Sequence, residues 1–175
     1  MRERYYSKVI LFGEYSMIFD STALMVPLRQ FSAQWRFASH LLAQGSAASN
    51  ASLQRFADYL STLDGVKDNF DLQRFNHDLY YNLFLDSNVP SGYGLGSSGT
   101  LVAAVYDAYA KQKTDDLLAL KTLFGQMESF FHGSSSGIDP LQCYVGKPFK
   151  ITPKEVQILS DISRSEERRV GKECR

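Results

Sequence analysis

The chain has 175 residues with 44% apolar content, and its 19 basic and 19 acidic side chains give a net charge of zero. That length and composition predict one globular domain, and the balanced charge gives no sign of a nucleic-acid-binding surface. No apolar run approaches the ~20 residues that a membrane span needs. The two cysteines, Cys143 and Cys174, lack the spacing of a metal site or a disulfide framework. We therefore expect a cytoplasmic protein with no nucleic-acid or membrane partner, and leave a homodimer open.

The N-terminal third of the chain predicts three strands and a helix. A β-rich run over residues 5–12 predicts the first strand, and residues 23–28 and 31–37 predict two more. The small polar residues 44–52 predict a loop. Apolar side chains at helical spacing then predict an amphipathic helix that Gly65 ends. Its apolar positions are Leu53, Phe56, Ala57 and Leu60.

The most informative segment is PSGYGLGSSGT at residues 90–100, which follows a strand predicted over residues 77–85. Three glycines in this segment, Gly92, Gly94 and Gly96, have no Cβ atoms, so the backbone N–H groups can approach an anion closely. The segment therefore predicts a loop that binds a phosphate group.

A helix over residues 98–111 is predicted to begin there, with Ser97 and Ser98 at its start. The unpaired amides and the positive dipole end of such a helix favour phosphate, which indicates a nucleotide or another phosphorylated ligand. Residues 94–99 also match the dinucleotide fingerprint G-x-G-x-x-G, but the acidic residue expected ~20 positions later falls at a helix start. A Walker A loop would need lysine where Ser97 stands, and a serine-capped turn without a ligand is the structural alternative.

A second helix is predicted to open at residues 114–116 and to bury an apolar stripe. The stripe comprises Leu117, Leu120, Phe124, Met127 and Phe131. Glu128 borders this stripe near the C-terminal end of the helix, where the dipole disfavours a carboxylate. That position makes Glu128 a candidate metal ligand, with a solvated charge at the helix end as the alternative.

Asp139 is the second candidate carboxylate. It follows a flexible polar segment at residues 132–137, and Pro140 after it favours an extended conformation. A turn residue is the structural alternative. Short strands are predicted over residues 141–145 and 149–151.

Three further side chains are candidates on their own. Lys8 lies inside an apolar strand, either as a site cation or as an edge-strand lysine that points to solvent. His132 is a possible base, but without a partner nearby in the sequence a loop-capping role is favoured. Cys143 lies in an apolar run and is expected to be a core thiol.

The last twelve residues differ in character from the rest. The segment RSEERRVGKECR is dominated by charged residues and has no apolar period. We therefore expect residues 1–163 to form the domain, truncated at that point, and residues 164–175 to be a disordered or non-native tail.

Together these segments resemble the GHMP kinase family, and within it the mevalonate kinases match best. Residues 90–100 resemble the family's ATP loop, P-x-x-x-G-L-G-S-S. Residues 8–15, KVILFGEY, followed by Ala23 and Leu24, resemble its N-terminal strand and turn. Residues 128–139 resemble the segment that carries a metal-binding glutamate and a catalytic aspartate.

The resemblance implies an α+β fold, with a mixed β-sheet packed against helices, and ATP and Mg²⁺ as cofactors. The implied activity is phosphorylation of a small-molecule alcohol, with mevalonate first. Galactokinase, phosphomevalonate kinase and homoserine kinase are the alternatives within the family. The resemblance also implies a C-terminal domain beyond residue 163 that would complete the cleft.

The resemblance implies a role for each matching residue. Asp139 would accept the proton of the substrate hydroxyl, with Lys8 beside it as the second catalytic residue. Ser98 and Glu128 would hold Mg²⁺. The nucleotide-binding residues would be Pro90, Gly92, Gly94, Leu95, Gly96, Ser97 and Ser98. The residues on the substrate side would be Glu14, Tyr15, His132, Ser136 and Gly137.

Two positions depart from the family's pattern. Tyr15 stands where mevalonate kinases usually carry histidine, and Ser135 stands where proline is common, which is expected to loosen that loop. Two other classes of protein stay open. One is a dehydrogenase of the dinucleotide-binding fold. The other is a non-catalytic nucleotide-binding protein, against which the presence of Lys8, Glu128 and Asp139 together argues.

Overall fold

The computed structural model describes residues 2–13, 22–38 and 43–159, and over 43–49 it describes the helical backbone alone. The elements in chain order are β1 (Tyr5–Phe12), β2 (Ala23–Phe37), α1 (Ala43–Thr62), α2 (Val66–Asn69), α3 (Leu72–Tyr80), β3 (Leu83–Ser87), α4 (Ser97–Tyr109), α5 (Leu117–His132), α6 (Ile138–Val145), β4 (Phe149–Ile151) and β5 (Val156–Ile158).

The strands form one sheet in the order β1-β2-β4-β5, and β3 pairs with the C-terminal part of β2. The predicted α+β class is confirmed. The predicted mixed sheet is corrected, because every strand pairing in the described residues is antiparallel. Strands β1, β3 and β4 all pair with β2 and run opposite to it. Since these strands form no parallel βαβ unit, the dehydrogenase alternative is wrong.

Strand β2 runs unbroken over 15 residues, whereas the sequence predicts two separate strands. The predicted break coincides with an irregularity in the ladder between β1 and β2. Tyr6 pairs with Ser32, but the next residue, Ser7, pairs with Leu28, so residues 29–31 are skipped. A bulge of this kind interrupts the side-chain alternation without ending the strand.

The predicted loop over residues 44–52 lies within α1 and is therefore wrong. Alanine is the best helix former and serine costs only a little more, so a small polar segment can extend a helix that tertiary packing holds. That packing is visible in the second half of α1. There the predicted apolar face is buried, and both Phe56 and Leu60 are fully enclosed.

The predicted strand over residues 77–85 is half wrong. Its first part is the end of α3, which begins after the N-cap Asp71 and buries Phe75 and Leu79 four residues apart. Asn82, with a φ of 61°, then separates the helix from β3. Aromatic and branched residues follow one another so closely here that period 2 and period 3.6 both fit the pattern.

Helix α4 lies at the centre of the fold, and most of its side chains are buried. It begins one residue earlier and ends two residues earlier than predicted. Gly99 lets its first turn approach α6 closely. A Cβ atom at Gly99 would lie 3.0 Å from the carbonyl carbon of Asp139 and from the nitrogen of Pro140. The N-terminal ends of α4 and α6 therefore lie side by side.

The predicted strand over residues 141–145 is wrong, because these residues belong to α6. Asp139 is not extended either and lies in the first turn of that helix, where the following Pro140 is tolerated. Leu141 is fully buried, and the predicted core thiol of Cys143 is confirmed by its 2% exposure. The predicted strand over residues 149–151 is confirmed as β4.

The N-terminal end of β1 is anchored to α4 through the buried carboxylate of Asp107. Its Oδ2 accepts hydrogen bonds from the Arg2 backbone N–H and the Tyr5 hydroxyl, both at 2.8 Å. Its Oδ1 lies 2.6 Å from Nζ of Lys113. Burial raises the pKa of Asp107, but the hydrogen bonds outweigh burial and lower it from 3.8 to about 2. The carboxylate is therefore held ionised.

The helices in the described ranges are too short or too polar to cross a lipid bilayer.

Candidate active site

The glycine-rich segment forms a loop between β3 and α4. Gly92, Gly94 and Gly96 all have positive φ, at 82°, 68° and 77°, a region that favours glycine. Gly96 is the N-cap of α4 and provides no side-chain hydrogen bond to the helix. No side chain therefore caps the first amides of α4, and their role in binding a phosphate group stays a prediction.

Two cavities border the start of α4. A cavity of about 320 Å³ lies against the loop itself. Its lining residues are Pro90, Gly92, Gly94, Leu95, Gly96, Ser97, Ser98, His132 and Asp139. A larger cavity of about 520 Å³ shares Gly92, Ser97, Ser98 and His132 with it and extends over apolar side chains such as Leu53 and Phe131. All seven residues predicted to bind the nucleotide thus line one cavity.

Strand β1 is fastened to the loop at Leu95. The carbonyl oxygen of Leu95 accepts the Ser7 hydroxyl at 2.6 Å and the Lys8 backbone N–H at 3.3 Å. The Ser7 side chain is fully buried in this contact. The position of the glycine loop is therefore tied to the strand that carries Lys8.

Lys8 and Asp139 form an ion pair, with 2.8 Å between Nζ and Oδ2. The lysine side chain is 6% exposed and the aspartate side chain is 32% exposed, so the carboxylate is the partner that a ligand can reach. Gly96 makes room for the lysine, because a Cβ atom there would lie 3.0 Å from Cγ of Lys8. The alternative of an edge-strand lysine in solvent is excluded.

Glu128 lies beneath Ser98 at the start of α4. Its Oε1 accepts the Ser98 hydroxyl at 2.8 Å, and its Oε2 accepts the Ser135 hydroxyl at 2.5 Å. Only 4% of Glu128 is exposed, which excludes a solvated charge at the helix end. Burial raises the pKa of Glu128; the two serine hydrogen bonds act in the opposite direction, and the charge of Asp139 raises it further. The two predicted carboxylates are thus close enough to influence each other.

His132 has a partner that the sequence did not predict. Its Nε2 lies 3.1 Å from the Ser98 hydroxyl oxygen, and the imidazole lines the cavity. The loop-capping interpretation therefore has to be replaced by a contact to the helix start.

The residues predicted on the substrate side are only partly described. Glu14 and Tyr15 lie outside the described residues. The Ser136 hydroxyl accepts the Ile138 N–H at 3.4 Å, and Gly137 packs so closely on α5 that a Cβ would lie 1.9 Å from the Lys121 carbonyl oxygen. The substrate roles of Ser136 and Gly137 stay predictions.

Two serines with defined contacts were missed as site residues by sequence reasoning. Ser7 lies at a strand bulge next to Lys8, and Ser135 was expected only to loosen its loop. The Ser7 hydroxyl bonds to a carbonyl oxygen 88 positions away, and the Ser135 hydroxyl bonds to Glu128, seven positions back in the preceding helix. No local sequence pattern reveals either contact.

The residues present fit a magnesium-bound nucleotide. The described residues contain no cluster of three or more histidine, cysteine, aspartate or glutamate side chains that could hold a metal ion. Magnesium, however, usually takes one or two protein oxygens and completes its shell with phosphates and water. Ser98 and Glu128 offer such oxygens beside amides that favour phosphate.

Comparisons with known proteins show the family to which the chain belongs. The family model described as the GHMP kinases N terminal domain matches residues 53–147. The crystal structure of the Methanococcus jannaschii mevalonate kinase aligns with a TM-score of 0.54 at 17% identity, covering 90% of this chain and 55% of that one. A second mevalonate kinase structure aligns with a TM-score of 0.53 at 17% identity, covering 89% and 55%. A search of curated proteins gives no significant match.

The structural likeness shows the fold alone at this identity, and the chain spans about half the length of those structures. The family model, in contrast, matches more than half of the residues, including the glycine loop, Glu128 and Asp139. The chain belongs to the GHMP kinase family.

Proposed function

We propose that this chain carries the phosphoryl-transfer site of a kinase that uses ATP and Mg²⁺ to phosphorylate a small-molecule alcohol, with mevalonate as the favoured acceptor. The proposal rests on one observation, which is that two contacts lie together at the start of α4, where no side chain caps the helix. These contacts are the ion pair of Lys8 with Asp139 and the hydrogen bond of Ser98 with Glu128.

Each of these residues has a task that phosphoryl transfer requires. Asp139, which is partly exposed to the cavity, accepts the proton of the acceptor hydroxyl. Lys8 fixes that carboxylate and adds a positive charge where negative charge develops. The amides of α4 hold the phosphates, while Ser98 and Glu128 hold the metal. When bound, ATP would supply the phosphoryl group and Mg²⁺ would neutralise charge on its oxygens.

The larger cavity supports a nucleoside next to these phosphates. Its lining includes the apolar side chains of Leu85, Val89 and Leu101, which offer a surface on which a base can pack. Mevalonate is favoured as the acceptor because residues 128–139 resemble the mevalonate kinase segment, and the two aligned crystal structures are of mevalonate kinases.

An acceptor screen tests the proposal. ADP release is measured with mevalonate, phosphomevalonate, galactose and homoserine, and calorimetry measures ATP binding with and without Mg²⁺. We expect Mg²⁺-dependent ATP binding and the highest turnover with mevalonate. ATP binding without turnover of any acceptor would favour the non-catalytic alternative, and absence of ATP binding would overturn the proposal.

A further inference from the structure

Glu128 is held at both of its carboxylate oxygens by serine hydroxyls. Ser98 donates to Oε1 and Ser135 donates to Oε2. Ser98 belongs to the helix start that receives the phosphates, whereas Ser135 comes from the loop between α5 and α6. The two donors therefore reach Glu128 from different elements.

The Ser135 hydroxyl is itself fixed in place. Its oxygen accepts the Gly137 backbone N–H at 3.1 Å while its proton goes to Glu128. The loop around it is packed tightly on α5, since a Cβ atom at Gly125 would lie 2.9 Å from the Ser135 carbonyl oxygen. These contacts hold both the hydroxyl and the carbonyl of Ser135, while the expectation that serine loosens the loop relative to proline stays a prediction.

A glutamate with one anchored oxygen retains freedom to rotate about its terminal torsion, which has a broad energy profile. A second donor on the other oxygen removes this freedom. If Ser98 turns its oxygen toward a cation, Ser135 is the donor that still holds Glu128. The orientation of the carboxylate then depends on Ser135.

We propose that Ser135 is a positioning residue that aims the Glu128 carboxylate at the metal ion. This inference rests on the proposed function, in which Glu128 holds that metal. It assigns Ser135 no contact with the nucleotide or with the acceptor.

Calorimetric titration of the chain with ATP, in Mg²⁺ and in EDTA, tests the inference. The quantity of interest is the gain in ATP affinity that Mg²⁺ brings. Loss of a group that orients a metal ligand typically costs about 10- to 100-fold in metal affinity, so Ser135→Ala is expected to reduce the gain by that factor. ATP affinity in EDTA is expected to stay unchanged, which also reports that the variant is folded.

Two variants separate positioning from a merely structural role. Ser135→Thr keeps the hydroxyl and is expected to retain the gain. Ser134→Ala, at the exposed neighbouring serine, is the matched control and is expected to behave like the wild type. If Ser135→Ala does not fold, Ser135→Cys replaces it as a nearly isosteric variant with a weak donor, for which an intermediate loss is expected.

Glu128→Gln distinguishes failure of the positioning role of Ser135 from failure of the proposed function. If Glu128→Gln loses the gain and Ser135→Ala keeps it, the positioning role is overturned and the proposed function stands. If Glu128→Gln keeps the gain, or the wild type shows none, the proposed function is overturned and the inference falls with it. A readout without any ligand is amide exchange at Gly137. This exchange is expected to be faster in Ser135→Ala than in the wild type, and an unchanged rate contradicts the inference.

Discussion

Two structural features require glycine at position 96. Its φ of 77° lies in a region that side chains with a Cβ atom rarely adopt, and its Cα faces the aliphatic part of Lys8. Gly94, two residues earlier, has a φ of 68° but nothing within 4 Å of the place where a Cβ would be. Substitutions at Gly94 and Gly96 can therefore be compared to separate the effect of backbone strain from the effect of crowding the buried Lys8 side chain.

Both Gly94→Ala and Gly96→Ala are expected to lower the free energy of unfolding by about 1–2 kcal/mol, since each forces an alanine into the left-handed region. Only Gly96→Ala is expected also to displace Lys8 and thus to lower the turnover number at saturating ATP, whereas a change of the loop in Gly94→Ala is expected to alter the affinity for ATP. Chemical denaturation and an ADP-release assay measure the two effects. Equal turnover in both variants would show that the contact between Gly96 and Lys8 has no catalytic consequence.

Asp139→Asn is expected to reduce turnover by roughly 10²–10⁴-fold, because the amide cannot accept the substrate proton. ATP affinity is expected to change little, since the α4 amides, Ser98 and Glu128 are intact. Single-turnover kinetics and calorimetry check the two parts. Asp86→Asn is the matched control, because Asp86 also forms a 2.8 Å ion pair, with Arg36, but on the exposed surface. Wild-type turnover in Asp139→Asn would exclude this aspartate as the base.

At the scale of single elements, sequence patterns succeed where one period dominates. The stripe of α5 repeats at helical spacing over 15 residues, and the structure buries Leu120, Phe124 and Met127 as predicted. The patterns fail where the deciding contact is distant in the sequence. Residues 44–52 are helical because the second half of α1 packs on the core. Residues 29–31 have no pairing partner in β1, and the interrupted alternation there made one strand resemble two in the sequence.

For the candidate site too, the sequence indicates single residues but not the contacts that only the fold forms. Local chemistry was enough to single out the glycine loop and Glu128 as candidates. The adjacency of Lys8 and Asp139, 131 positions apart, was accessible only through the resemblance to a family. Ser7 and Ser135 were accessible through neither route, because their hydroxyls act on atoms that the fold alone brings near.

Strand β1 and the glycine loop are expected to act as one unit through Ser7. Ser7→Ala removes the hydroxyl from the Leu95 carbonyl and leaves only the longer bond from the Lys8 N–H. We expect a loss of stability of about 1 kcal/mol and a several-fold weaker affinity for ATP, because the loop becomes less well positioned. Thermal unfolding and calorimetry measure these quantities.

Ser61→Ala provides the comparison for Ser7→Ala. The Ser61 hydroxyl also donates to a backbone carbonyl at 2.6 Å, but it does so on the exposed face of α1, away from both cavities. Its loss is expected to leave ATP affinity unchanged. If the two variants bind ATP equally well, the tie between β1 and the loop does not position the phosphates.

At the scale of the whole molecule, β1 is held at two points. Asp107 of α4 binds its N-terminal end, and Leu95 of the glycine loop binds its middle. Lys8 lies at the second of these points, and its ammonium pairs with Asp139 on α6. The stability of the domain and the geometry of the site thus depend on the same strand.

The buried carboxylate of Asp107 is expected to make this stability dependent on pH. Its pKa is lowered on folding from 3.8 to about 2, so the stabilisation is present above pH 4 and is lost as the pH falls toward 2. Asp107→Asn is expected to lower the free energy of unfolding at pH 7 by about 2 kcal/mol, and this difference should shrink between pH 4 and pH 2.

Chemical denaturation at several pH values measures this difference in the free energy of unfolding. Asp64→Asn is the control, because Asp64 pairs with Lys67 on the open surface. A difference between the wild type and Asp107→Asn that stays constant down to pH 2 would mean that the anchor does not act through the charge of Asp107.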